Sequence, residues 1–220
     1  MAHSIIRFIS AILLTVTAAI ASADSVDARA YIDRAVELIE AGHLPLARTY
    51  LAPALIDPRL SPGERSRAYY LRGYSFYADG LPVTASKDYS RALDFTPGNG
   101  SALVGLGDLY HRGEGVNEDP ELAYALFESA REVGHPDADL FIGFALLKGR
   151  GVEQDVAGAR EILGAAAEQG NPRAMLYLGR SYRDGFTDQP DTELAREWIE
   201  RAAAEGSAEA KATLGYMHYK

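Results

Sequence analysis

The sequence contains no cysteine. No disulfide can contribute to stability, so chain length and an apolar core must hold the fold, and no thiol is present to accept a lipoprotein anchor. Histidine is sparse: His3, His43, His111, His135 and His218 are scattered and form no His-Glu-x-x-His, which leaves a zinc hydrolase of that type without support. No serine sits in a Gly-x-Ser-x-Gly elbow. Gly113-Glu114-Gly115 and Gly149-Arg150-Gly151 do not lead into Gly-Lys-Ser/Thr, so they read as turns rather than phosphate loops. Asp184, Asp188, Asp191 and Glu193 lack the register of a calcium loop and read as a solvated turn with a helix cap. His135, Asp137 and Asp139 can be drawn as three metal ligands, but the two aspartates fall in the first turn of a helix opened by Pro136, where carboxylates favour the positive end of the dipole. No catalytic residue, cofactor site or metal site is expected.

Basic residues are also in deficit, 22 against 31 acidic, for a net charge of −9. That balance opposes nucleic acid as a partner, because phosphate binding needs a basic footprint. Long apolar runs are rare as well. Phe8 to Ile20 is one, preceded by Arg7 and followed by the small-x-small sequence Ala21-Ser22-Ala23. It is too short to span a bilayer with room to spare, and Asp24 and Asp27 follow where a stop-transfer flank would be basic. Residues 1–23 therefore read as a cleaved secretory signal. The mature chain is expected to carry a charge of about −10, to be periplasmic or secreted, and to have no membrane span.

What the sequence does have is a period. Gly107, Gly143, Gly179 and Gly215 stand 36 residues apart, as do Gly134, Gly170 and Gly206. Ala123, Ala159 and Ala195, and Ala130, Ala166 and Ala202, keep the same spacing. Agreement between independent columns marks a structural repeat.

Each period reads as a helical hairpin. Leu103, Leu106 and Tyr110 form an apolar stripe on a first helix, which Gly113 ends by entering the left-handed conformation. Asp119, Pro120 and Glu121 open a second helix as cap, first residue and dipole partner, and Gly134 ends it. Asp155 and Asp191 open the later second helices alike. Gly107 and its equivalents are expected to face Ala123 and Ala130, small against small, so that the helices approach closely. Upstream the spacing shortens to about 34, with Gly73, Gly80, Ala85, Tyr89, Ala92 and Pro97 in related places and a Ser61-Pro62-Gly63-Glu64 capping box between two units.

These residues resemble two known families. Residues 24–100 are similar to two tetratricopeptide (TPR) repeats. Residues 101–220 resemble three Sel-one-like repeats (SLR) plus a C-terminal capping helix, on Leu-Gly-x-x-Tyr (Leu106 to Tyr110, Leu178 to Tyr182), Gly-x-Gly-Val (Gly113 to Val116, Gly149 to Val152) and Ala-x-x-x-Gly endings (Ala130 to Gly134, Ala202 to Gly206). Leu146 replaces the tyrosine in the middle unit, and Gly185-Phe186-Thr187-Asp188 replaces Gly-x-Gly-Val. The resemblance implies an all-α, right-handed α-solenoid of stacked antiparallel hairpins, without enzymatic activity. It implies a scaffold or adaptor whose concave groove takes an extended or helical segment of a protein partner. Envelope assembly, polysaccharide export, motility and signalling are the settings it suggests.

The same resemblance puts Arg67, Tyr70, Tyr74, Tyr77, Asp108, His111, Arg112, Phe144, Lys148, Arg173, Arg180 and Arg183 on the groove face, with Leu176, Tyr216, Tyr219 and Lys220 at further inner positions. Tyr70, Tyr74 and Tyr77 share one helix face by spacing alone. The pattern leaves open whether Tyr70 belongs to the groove or to the core. Aromatic and arginine side chains carry binding energy at interfaces, and aromatic faces also stack on sugars, so a carbohydrate or peptidoglycan fragment is the alternative occupant.

Overall fold

A computed structural model describes residues 27–185 and 189–218 of the chain. Residues 1–26, which include the expected signal sequence, residues 186–188, Tyr219 and Lys220 lie outside the described residues, as does the side chain of His218. Eleven helices make up the described chain, with no strand among them. They are α1 (Ala28–Glu40), α2 (Leu44–Ile56), α3 (Pro62–Ala78), α4 (Pro82–Phe95), α5 (Gly100–Arg112), α6 (Pro120–Glu132), α7 (Ala138–Lys148), α8 (Val156–Glu168), α9 (Pro172–Asp184), α10 (Thr192–Ala204) and α11 (Ala208–His218).

Consecutive helices pack as hairpins, an odd-numbered A helix with the even-numbered B helix that follows it, and each B helix packs on the next A helix. The closer contacts between like helices are A to A, α1 with α3, α3 with α5 and α7 with α9, which puts the A helices on the inner side of the stack. This is an α-solenoid of the TPR and SLR type, with a core continuous only between neighbours.

The helix starts obey local chemistry. The Ser61 side chain accepts from the Glu64 backbone N–H while the Glu64 carboxylate accepts from the Ser61 N–H, a complete capping box. Asp119, Asp155 and Asp191 each cap a B helix by accepting from the backbone N–H three residues on, at 2.9–3.0 Å. Their own N–H groups donate to the carbonyls of Tyr110, Leu146 and Tyr182 at 3.0–3.1 Å. Leu146 can therefore replace a tyrosine without loss of the turn, because the bond uses its backbone. One start differs from expectation: α7 begins at Ala138, leaving Pro136 in the preceding turn and Asp137 at the cap position without a side-chain capping bond.

The inter-helix glycines also differ from expectation, in a way that explains them. A Cβ on Gly107 would lie 2.6 Å from the Phe127 ring, one on Gly143 2.6 Å from Leu163, and one on Gly179 2.6 Å from Ile199. The A-helix glycine opposes a large B-helix side chain most closely, with the expected alanine column also near at Gly179, where the Ala195 carbonyl oxygen would lie 2.9 Å from a Cβ. Phe127, Leu163 and Ile199 themselves repeat every 36 residues and are fully buried. In the shorter unit Tyr89 is gripped twice, by Gly73 of its own hairpin and by Gly105 of the next A helix.

The turn glycines Gly115 and Gly151 join neighbouring units. Both have φ near +75°, and a Cβ would come 2.4 Å from the Pro82 carbonyl carbon or 1.9 Å from the Pro120 carbonyl oxygen of the preceding hairpin. Only glycine satisfies both the torsion and the contact.

Gly143→Ala is expected to destabilise the chain by about 1–3 kcal/mol through overpacking, although alanine is the better helix former by about 1 kcal/mol. In a Leu163→Ala background, which itself costs about 2–5 kcal/mol, the same change becomes neutral or stabilising. Urea unfolding of the four proteins checks this, and an equal cost in both backgrounds would place the strain elsewhere.

Candidate functional site

The inner face is built by the C-terminal ends of α5 and α7 and the length of α9. His111 and Arg112 occupy the last turn of α5. The His111 carbonyl, one of the unpaired acceptors at that helix end, takes a bond from the Arg150 guanidinium at 3.0 Å. Arg150 also pairs with Glu118. This ties the α7–α8 turn to the end of α5, where the His111 ring meets Phe144 edge-on, with centroids 5.4 Å apart and planes at 80°. Phe144 meets Tyr177 in the same manner at 5.2 Å and 62°. His111, Phe144 and Tyr177 stand 33 residues apart, three short of the repeat. The line of rings thus steps back about one helical turn per unit and crosses the A helices obliquely.

Phe144 and Tyr177 form the saddle between two clefts. One, of about 310 Å³, is lined by Asp108, His111, Arg112, Leu140, Phe141, Phe144, Arg173 and Tyr177. The other, of about 240 Å³, is lined by Phe144, Leu147, Lys148, Tyr177, Arg180, Ser181, Arg183 and Asp184. Eight of the twelve residues expected on the groove thus converge on these two hollows. Arg112 reaches Asp108 at 2.9 Å, Arg180 reaches Glu209 at 2.9 Å and the Thr213 hydroxyl at 3.3 Å, and Arg183 pairs with its neighbour Asp184 at 2.7 Å. Arg173 lies over the Phe141 ring at 5.5 Å and has no carboxylate partner among the described residues. A wider hollow of about 690 Å³ lies at the α5–α6 turn. It is an open depression of turn backbone beside Glu118 and Asp119, and no ring or cation lines it apart from the edge of Tyr110.

The other four expected residues, Arg67, Tyr70, Tyr74 and Tyr77, lie on α3 outside both clefts. Tyr77 joins them to the first cleft by donating its hydroxyl to Asp108 at 3.4 Å. Tyr74 is exposed and Arg67 faces Asp33 at 3.7 Å. Tyr70 is mostly buried, with its ring stacked on Tyr89 at 6.0 Å. Leu176, also expected on the inner face, is a core residue at 1% exposure. Tyr70 and Leu176 share the fifth position of their units and are packed inward, whereas Leu140 at the same position still lines the first cleft. In α7 and α9 the sixth position also faces the clefts, where Phe141 and Tyr177 were missed. Their signal was present as two aromatic residues 36 apart.

Burial, and then the nearby Arg150 charge, hold the His111 pKa below its ordinary value of 6.5, with Asp108 opposing. The imidazole is therefore neutral near pH 7 and offers a ring face to the saddle. Burial raises the Tyr70 and Tyr77 hydroxyls above the usual tyrosine range. Among the described residues no cluster of three metal-ligating side chains occurs, and no helix is long and apolar enough to cross a membrane.

The Sel1 repeat model matches residues 66–95, 100–135, 136–171 and 172–207, more than half of the chain. The chain belongs to the Sel1-repeat family. Its first match falls within the stretch that resembles TPR repeats, one hairpin earlier than the 36-residue period. A Sel1 repeat protein from Oxalobacter formigenes superposes with a TM-score of 0.64 at 28% identity, over 84% of this chain and 74% of that one. The protective antigen c5321 of uropathogenic Escherichia coli, which displays an SLR fold, gives 0.66 at 26% identity over 90% of this chain and 42% of its own. A Sel1 repeat protein from Klebsiella pneumoniae gives 0.59 at 25% identity over 70% and 74%. No curated protein matches the chain. Sel1 and TPR repeat proteins are generally protein-interaction scaffolds, and the fold is typically non-catalytic.

Two outcomes are expected of this Sel1-repeat chain. Tyr70→Ala should cost about 2–4 kcal/mol as a core truncation, whereas Tyr74→Ala should stay within about 0.5 kcal/mol, as read by thermal or urea unfolding. The folded chain disfavours protonated His111, so stability should fall as pH drops below about 6.5, the unfolded value, and level off below the folded one. His111→Gln should flatten that part of the stability–pH profile, and an unchanged slope would show that His111 is not its source.

Proposed function

We propose that this chain is an exported, periplasmic adaptor that binds a polypeptide segment of a partner protein across the two inner clefts. The observation that carries this reading is the saddle of Phe144 and Tyr177, shared by both clefts and flanked by cations on the inner face of an interaction scaffold. Rings held at fixed angles by their neighbours offer large contact area at little entropic cost on binding. Cations at the rims add specificity and association rate. An extended segment fits such a surface better than a small metabolite, because two hollows joined by an exposed ridge do not enclose a ligand. The apolar run before Ala23 supports export, and envelope assembly, polysaccharide export, motility or signalling is the setting we assign.

Crosslinking in cells from a photoreactive residue at Phe144, compared with one at exposed Glu168 on α8, tests the groove. A dominant protein adduct from position 144 alone is expected. Adducts to glycan would replace the partner class with carbohydrate, and equal yields from both positions would remove the groove. Release of the protein by osmotic shock with an N-terminus at Asp24 is expected of the exported form, and retention with the cytosol would refute it.

A further inference from the structure

The two clefts invert the charge of the protein that carries them. Acidic residues outnumber basic ones across the chain, 31 to 22, yet the clefts are lined by five arginines and lysines against two aspartates, with Glu209 joining Arg180 as a third carboxylate from outside the lining. Asp108 pairs with Arg112 and Asp184 with Arg183, which leaves the cations in excess. Arg173 is exposed at the rim of the first cleft, its guanidinium over Phe141 and with no carboxylate partner among the described residues. At the second cleft Arg180 is held in place by Glu209, Thr213 and the Tyr177 ring. The apolar saddle lies between these two cationic positions.

We infer that the groove selects an acidic polypeptide segment in which an apolar or aromatic side chain sits between carboxylates. The apolar side chain packs on Phe144 and Tyr177. A carboxylate on one side takes the planar fork of Arg173, which matches carboxylate geometry with two parallel hydrogen bonds. A carboxylate on the other side enters the field of Lys148, Arg180 and Arg183, sharing Arg180 with Glu209 and Arg183 with Asp184. The net acidic charge of the chain disfavours the same segment over much of the remaining surface, so the groove is a favourable landing place for it. A neutral segment would satisfy the saddle and leave Arg173 without an anion; a basic one would be repelled at both rims.

This rests on the groove reading above, and its test fails separately. Isothermal titration uses the purified full chain and a peptide blocked at both ends, containing Asp, Phe and Glu in acidic–apolar–acidic order between Gly-Ser flanks. The Asn/Gln version of that peptide and an oligogalacturonate serve as alternatives. The acidic peptide is expected to bind at least roughly tenfold more tightly than its amide version, and to weaken as salt rises from about 0.05 to about 0.5 M. Arg173→Glu, and to a lesser degree Arg173→Gln, should weaken it roughly tenfold, while Lys87→Glu, the same charge change at an exposed position outside both clefts, should alter it less than about twofold. Equal binding of the amide peptide, or equal effects of the Arg173 and Lys87 changes, would overturn the inference. So would binding of oligogalacturonate in place of peptide. If the acidic peptide fails while position 144 still crosslinks to a protein, only the inferred chemistry falls; loss of that crosslink removes the groove itself.

Discussion

The structure depends on a repeated contact in which a glycine of one helix lies flat against a large apolar side chain of the next. Gly107 against Phe127, Gly143 against Leu163 and Gly179 against Ile199 hold the two helices of each hairpin at one separation. Each large side chain is fully buried. A glycine inside a helix is unfavourable by about 1 kcal/mol relative to alanine, and here burial of about 1.5–3 kcal/mol per apolar side chain offsets it. The chemistry of the large partner is free to vary among phenylalanine, leucine, isoleucine and tyrosine, because what must be conserved is the hollow, not the shape that fills it. The Gly115 and Gly151 turns then rest on the backbones of Pro82 and Pro120, which fixes how each hairpin sits on the one before. With both separations set, and Arg150 tying the α7–α8 turn to the end of α5, successive inner rings of α5, α7 and α9 stand 5.2–5.4 Å apart.

The parts of this arrangement that repeat or act locally were legible in the sequence. The 36-residue period, the aspartate caps of α6, α8 and α10, and the Ser61–Glu64 box depend on residues a few positions apart, so their chemistry can be read along the chain. The large partners of the glycines were not read, because two columns at the same spacing, the alanines and the bulky residues, both lie across from them. Only the rotation of the B helix decides between these columns. Eight of the residues expected on the inner face line the two clefts, and the fifth position of the A helix is where expectation and structure part. Leu176 and Tyr70 are packed inward at that position, and Tyr177 and Phe141, one place further along, point into the clefts. A step of one residue turns a side chain by about 100°, so a position list carried from a related repeat transfers the helix and not always the face.

The first two hairpins show what happens when the period shortens. Tyr89 takes the place that leucine or isoleucine holds later, and it is long enough to touch Gly73 and Gly105 at once. One side chain thereby closes both its own hairpin and the junction to the 36-residue units. Tyr70 covers that ring from the inner face, which is why a residue that spacing places on the groove side is drawn into the core. The aromatic strip of α3 is thus in part the lining of a junction, and the line of rings that borders open clefts begins only at His111.

At the other end of the described chain, α11 does more than cover apolar surface. Among the described residues α11 packs chiefly against α10 and adds Ala210, Leu214 and Met217 to the core cluster. Glu209 and Thr213 of α11 hold the Arg180 guanidinium beside Tyr177. An arginine free to rotate loses side-chain entropy when it meets an anion, and one already held loses less. Helix α11 therefore orders a cation of the second cleft while adding to the core. Its packing and the readiness of the groove are coupled through those two residues.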